Sequence, residues 1–180
     1  MPRIFLSPSL QEFNPYVGGG NEEYYMNLVA DAMEPYLRAS GIDFTRNNPS
    51  STLSQTIAQS NQGDYDLHVA LHSNASPEAT KGQNTGVQVY YYPTSSKGQQ
   101  AADIIAQNYR GIYYNPEDIV TIPTTSLAEV RKTDAPAVLI ETAFHDNQRD
   151  ADWIRSNIDD IARSVSKSIA EYLGVPFVTP

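Results

Sequence analysis

Two near-continuous apolar runs, Tyr65–His72 (YDLHVALH) and Pro136–Phe144 (PAVLIETAF), constrain the fold more than any other feature of the chain. A strand that is apolar at nearly every position must be covered on both faces. That is the situation of a parallel sheet with helices above and below it. The rest of the chain alternates to match. Shorter apolar stretches at Arg3–Ser7, Ile42–Arg46, Gly86–Tyr92 and Ser126–Val130 read as further strands. Asn21 is placed to cap a helix with Glu22 and Glu23 in its first turn and Met26, Val29, Met33 and Leu37 on one face, and Gly41 ends it. Pro35 is expected to kink that helix. Ser51 or Thr52 opens a short helix, Ser96–Tyr113 a longer one, and Gln148–Leu173 is helical in two pieces. These elements predict an α/β fold: a three-layer sandwich with a central, mostly parallel twisted sheet flanked by helices. The length suits one domain, expected over 1–174, with 175–180 as a tail or the start of a linker.

Composition removes several functions. There is no cysteine, so no thiol nucleophile and no thiolate metal site. The net charge is −9 with no basic stripe, which excludes a nucleic-acid footprint. No stretch approaches the roughly 20 apolar residues of a membrane span, and the start has no run that reads as a signal peptide. Neither GxSxG, GxGxxG nor GxxxxGK[ST] occurs.

Two of only three histidines, His68 and His72, lie in the first apolar run. Side chains alternate on a strand, so the two share a face, but four residues span about 13 Å, too far for one ion to bind both. His72 is the better site residue, because open α/β sheets carry their sites at the carboxyl ends of the strands. His68 reads as a buried, hydrogen-bonded histidine. Glu141 closes the second apolar run after Val138, Leu139 and Ile140. A carboxylate there faces a cleft or a metal, or pairs with Arg131 or Lys132. The twelve tyrosines and the loop Gly18–Gly20 could line a groove.

Together these blocks resemble the zinc-dependent N-acetylmuramoyl-L-alanine amidases, which cleave bacterial peptidoglycan. LHSNAS (71–76) resembles their IHANA, and IETAFHDN (140–147) their EVGFLSN. NEEYYMNLVADAM (21–33) resembles SEKDINLAIAL, and SLAEVRKTDAPAVLIE (126–141) resembles LYVLRNTKMPAVLVE. The order and spacing agree from Arg3 to Leu173. The resemblance implies Glu141 as the catalytic glutamate and His72 and Glu23 as zinc ligands, with Glu22 the alternative to Glu23. One departure stands out. The family's first zinc histidine, in DPGHGG, falls on Leu10 of SPSLQE. Gln11 is the expected substitute ligand, with Glu12 and His145 as alternatives. The implied cofactor is Zn2+ and the implied partner is bacterial peptidoglycan, with a C-terminal cell-wall-binding domain possible in the native protein and release to the wall by lysis or autolysis. The competing reading is a metal-free, non-catalytic relative that binds cell-wall peptide.

Overall fold

The computed structural model describes all 180 residues. Six strands form one sheet: β1 (Arg3–Pro8), β2 (Asp43–Arg46), β3 (Leu67–Asn74), β4 (Val87–Tyr91), β5 (Ile119–Pro123) and β6 (Ala137–Phe144), in the order β2-β1-β3-β6-β4-β5. Every neighbouring pair is parallel except β4 against β6. The two apolar runs are β3 and β6, side by side at the centre, as their two-sided apolar character requires.

The sheet has two unlike faces. Val69 and Leu71 of β3 and Val138 and Ile140 of β6 enter the large core. Three helices cover that face: α1 (Glu22–Ala39), α3 (Ser96–Tyr109) and α6 (Ile158–Leu173), through residues such as Met26, Val29, Ile105, Val165 and Ile169. The alternate residues point the other way. There Ala70, Ala137 and Leu139 meet Val130 in a cluster of only four, under α2 (Leu53–Asn61) and α4 (Ala128–Arg131). The same face carries His68, His72 and Glu141, so polar side chains replace much of its apolar packing. Helix α5 (Gln148–Ser156) lies at the carboxyl end of β6.

Local chemistry explains most boundaries. The Asn21 side chain accepts from the Tyr24 N–H, and Thr52 forms a capping box with Gln55. Gly41 and Gly174 follow α1 and α6 with φ of 70°, a left-handed conformation that glycine adopts without a Cβ penalty. Pro35 lies inside α1, and the helix runs on to Ala39 before Gly41. One expectation differs. Ser126–Val130 is not a strand. Its Ala128–Arg131 part is the short helix α4, for which alanine, glutamate and arginine all have high propensity, and the alternation there was coincidental. The strand missed in that region is β5, a five-residue run that ends on a proline. Finally, 175–180 is irregular but not free of the domain: Phe177 stacks on Tyr36, and the Val178 N–H donates to Ser40 Oγ.

Beyond Glu141 the sheet is disturbed. His72 pairs with Glu141 in register, but Asn74 pairs with Phe144, so β6 spends one extra residue there. Ala143, with φ of 60°, takes up the bulge. Bulges of this kind re-aim side chains and are frequent beside active sites.

Candidate active site

The two histidines are joined by a residue that sequence reasoning passed over. Glu129, on α4, places Oε1 3.0 Å from His68 Nε2 and Oε2 3.2 Å from His72 Nε2. One carboxylate thus spans the gap between side chains four residues apart on β3. Ser7 Oγ, at the end of β1, donates to the same Oε1 at 2.6 Å. His68 is fully buried, stacks on Phe5, and has Ser60 Oγ 2.9 Å from Nδ1. It is the buried, hydrogen-bonded histidine that its position suggested. Ionised carboxylates only accept, so both His68 and His72 donate to Glu129 through Nε2.

His72 continues the chain on its other side. Its Nδ1 lies 2.9 Å from Glu22 Oε1, and Asn14 Nδ2 donates to Glu22 Oε2 at 2.7 Å. Of the two glutamates in the first turn of α1, therefore, Glu22 faces the site. It is 1% exposed, whereas Glu23 is partly exposed and bonds no site residue. Adjacent helical positions point about 100° apart, so only one of the pair can face the sheet end. Gln11 sits one hydrogen bond further out: its Oε1 accepts from the same Asn14 Nδ2 at 2.6 Å. That engagement turns it toward Asn14 rather than toward His72. Glu12 is exposed, and His145, beyond the bulge, has Ser73 Oγ 3.0 Å from Nδ1 and Tyr16 stacked on its ring.

Glu141 stands beside His72 as its register partner on the adjacent strand. Its Oε2 is buried with no hydrogen-bond partner, and it forms no ion pair with Arg131 or Lys132. An unpaired buried carboxylate is costly, and structures that keep one usually use it.

Electrostatics separates the three carboxylates. Burial pushes Glu141 up, with Glu22 adding to the rise and the His72 charge offsetting part of it, to about 7. Burial also opposes ionisation of Glu129 and Glu22. For Glu129 the hydrogen bonds from His68 and His72 outweigh it and hold the carboxyl far below the usual range. For Glu22 the bonds from His72 and Asn14 do the same. Burial alone would depress His72, yet the two flanking carboxylates raise it well above 6.5. Groups whose environments drive their protonation apart in this way are the pattern of an acid–base site.

A three-ligand metal site is not complete. Glu22 and His72 converge as two donors, with Glu129 as the carboxylate that orients the imidazole from behind. The position at which the resemblance expects a first zinc histidine is Leu10, and no three His, Cys, Asp or Glu side chains come close enough together to hold an ion. Catalytic zinc takes three protein ligands and one open position. The donors in place fall one short of that.

Several of the other features flagged as groove lining make structural contacts. Arg155 donates to the carbonyls of Val17 and Gly19 and pins the glycine loop against α5. Gly20 has φ of 82°, and a Cβ there would collide with the Tyr25 ring. Tyr16 donates to Ser73 Oγ, and Tyr113 and Tyr114 both donate to buried Asp150. No helix is long and apolar enough to cross a membrane.

The sequence signal for Glu129 was present. It is a glutamate between Ala128 and Val130 in a mostly apolar stretch, the same anomaly that singled out Glu141. Within a stretch read only as the strand Ser126–Val130, it was not singled out.

Solved structures share this fold. The amidase AmiC2 of Nostoc punctiforme superposes with a TM-score of 0.81 at 17% identity, covering 96% of this chain and 97% of that one. The catalytic domain of CwlV, an amidase of Bacillus (Paenibacillus) polymyxa var. colistinus, gives 0.82 at 17%, covering 98% and 100%. The catalytic domain of the CD27L endolysin, targeting Clostridia difficile, gives 0.77 at 23%, covering 95% and 98%. No curated protein sequence matches this chain significantly. The sequence profile of N-acetylmuramoyl-L-alanine amidases, by contrast, matches residues 12–171, nearly the whole domain. The chain belongs to the N-acetylmuramoyl-L-alanine amidase family.

Proposed function

We propose that this chain hydrolyses the amide bond between N-acetylmuramic acid and L-alanine in peptidoglycan, with Glu141 as the proton carrier. The observation that supports this most is the Glu141 carboxyl itself: half-buried, its Oε2 enclosed without a partner, and raised to about 7 beside His72. A group of that pKa accepts and returns a proton equally well near neutrality.

In this reading a water attacks the amide carbon while Glu141 takes its proton. The tetrahedral oxyanion then collapses, the C–N bond breaks, and Glu141 returns the proton to the departing alanine nitrogen. The products are the muramoyl carboxylate and a free L-alanine amine. His72, held cationic between Glu22 and Glu129, lends positive charge to the developing oxyanion. Glu22 and Glu129 fix its ring from both sides. Each of these steps uses groups of the chain itself. The incomplete donor set supports no step through zinc.

The incomplete donor set also favours a second reading, a non-catalytic relative that binds the wall without cutting it. The unpaired charge of Glu141 counts against it, because a binder gains nothing from burying it. Digestion of purified cell walls separates the two. New L-alanine amino termini, absent with Glu141→Gln, support the amidase; new reducing sugar ends, or no products, sink it.

A further inference from the structure

One carboxylate holds the disturbed end of the sheet just past Glu141. Asp150, in the first turn of α5, is fully buried and forms no ion pair. Its Oδ2 accepts the backbone N–H groups of Phe144 at 2.9 Å and Gly86 at 3.2 Å. Its Oδ1 accepts the hydroxyls of Tyr113 at 2.6 Å and Tyr114 at 2.5 Å. We propose that Asp150 is a positioning residue for Glu141: by clamping the two backbone amides that the bulge leaves without strand partners, it fixes the direction of the Glu141 side chain. This rests on the amidase reading above, in which Glu141 carries the proton.

The first observation behind it is where the ladder stops. β4 pairs with β6 from Tyr91–Val138 to Gln88–Glu141 and no further. Gly86 and Phe144, both buried, lie just beyond that last pair, one on each strand's side. Their N–H groups need acceptors that the ladder does not supply, and a buried donor left unpaired is costly. A side chain closes the gap.

The second is Ala143. With φ of 60° it is the one non-glycine residue of the chain in the left-handed region. A Cβ is disfavoured there, and such a conformation persists only where its surroundings over-determine it. The N–H that Asp150 holds on Phe144 belongs to the peptide unit that follows Ala143. The clamp therefore acts on the very backbone that carries the bulge, two residues past Glu141.

The third is charge. A carboxylate has two oxygens and about four lone-pair sites, and four donors meet on Asp150. None of them is a cation. A buried carboxylate held by neutral donors alone is expensive, and filling space would need only an apolar side chain. What the carboxylate adds is a rigid junction between β4, β6 and the loop after α3. The charges that bear on Glu141 are those of His72 and Glu22, so Asp150 reaches it through the backbone.

The test compares Asp150→Asn, Ala143→Gly and their combination in the whole chain. Asparagine offers one side-chain oxygen in place of two, so part of the donor set is released. Near-ultraviolet circular dichroism checks folding, and kcat and KM are read separately on a soluble N-acetylmuramoyl peptide. Asp150→Asn should lower kcat by at least about tenfold, as expected for a misplaced reacting group, and leave KM within about twofold. Its crystal structure should show the Glu141 carboxyl displaced from its place in the unmodified chain. Glycine takes the left-handed region without a clamp, so Ala143→Gly alone should match the parent; added to Asp150→Asn, it should return kcat to within about threefold of the parent and Glu141 to its place. Tyr114→Phe, which removes one hydroxyl and neither amide, should lose stability and keep kcat. A folded Asp150→Asn with parental kcat and an unmoved Glu141 overturns the proposal and leaves Asp150 a staple. So does a double variant that stays as impaired as Asp150→Asn. Should Asp150→Asn alone not fold, the double variant decides: folded and active supports the clamp, unfolded or impaired overturns it. Failure of the amidase reading looks different: the unmodified chain releases no alanine amines from walls, and the Glu141 positions in the crystals still decide the clamp.

Discussion

Replacing Glu141 by glutamine should stabilise the fold at alkaline pH while abolishing turnover. The folded-state pKa of Glu141 is about 7, against 4.5 in an open chain. The sign follows directly. Below 4.5 the carboxyl is protonated in both states and contributes nothing. Between 4.5 and 7 the unfolded chain ionises while the folded one resists, so stability is lost as pH rises through that window. Above 7 the loss is complete. A difference of 2.5 units at 1.36 kcal/mol each gives about 3 kcal/mol as an upper figure. Glutamine has the shape of the protonated acid and no charge, so Glu141→Gln escapes the loss. Urea unfolding of both proteins with chelator present, at pH 5 and pH 8, measures it. The variant should differ little from the parent near pH 4.5 and exceed it by roughly 2–3 kcal/mol at pH 8. Comparison of the two proteins removes most of what His72, Glu22 and Glu129 contribute, since both carry them; the coupling of Glu141 to His72 and Glu22 stays in the difference. A difference that stays flat with pH, or a variant that is less stable at pH 8, would refute the assignment of an unpaired, desolvated carboxylate.

Glu129 should behave in the opposite way. Glu129→Ala strips both histidines of their shared acceptor and should cost about 3–5 kcal/mol in unfolding free energy, with loss of activity; a cost below 1 would show that the bridge is dispensable. The depressed Glu129 and Glu22 carboxyls contribute stability above the ordinary carboxylate range that disappears as pH falls below about 4, so acid unfolding of Glu129→Gln should show a shallower pH dependence than the parent. For the metal, Leu10→His should raise zinc affinity by at least about tenfold by restoring a third donor, whereas Gln11→Ala should leave it little changed; isothermal titration of zinc into both variants decides, and a large loss in Gln11→Ala would make glutamine the missing ligand. Glu22→Gln should lower activity by loosening the His72 ring while Glu23→Gln does not, read by amine release from cell walls.

The sequence by itself determined the layers of the fold and singled out two polar side chains, His72 and Glu141, that the structure sets side by side. Continuous apolar runs demand two-sided cover, which forces β3 and β6 to the centre of a sheet, and a histidine or glutamate that interrupts such a run must face something polar. That reasoning needs no partner to be known, and it reached His72 and Glu141. What it could not reach was convergence. Whether Glu22 or Glu23 turns inward depends on the rotation of α1 about its axis when Met26 and Val29 seat in the core. Whether Glu129 matters depends on α4 folding as a helix and being carried over the sheet. There its carboxylate meets Ser7, 122 positions away, and His68, 61 away. Local pattern records which face a residue takes, whereas hydrogen bonds between remote elements exist only once packing has brought them within about 3 Å. The pairing of two histidines four apart on a strand, too distant to share an ion, was therefore legible as a puzzle in the sequence. Only the tertiary structure, by laying one carboxylate between them, supplied the answer.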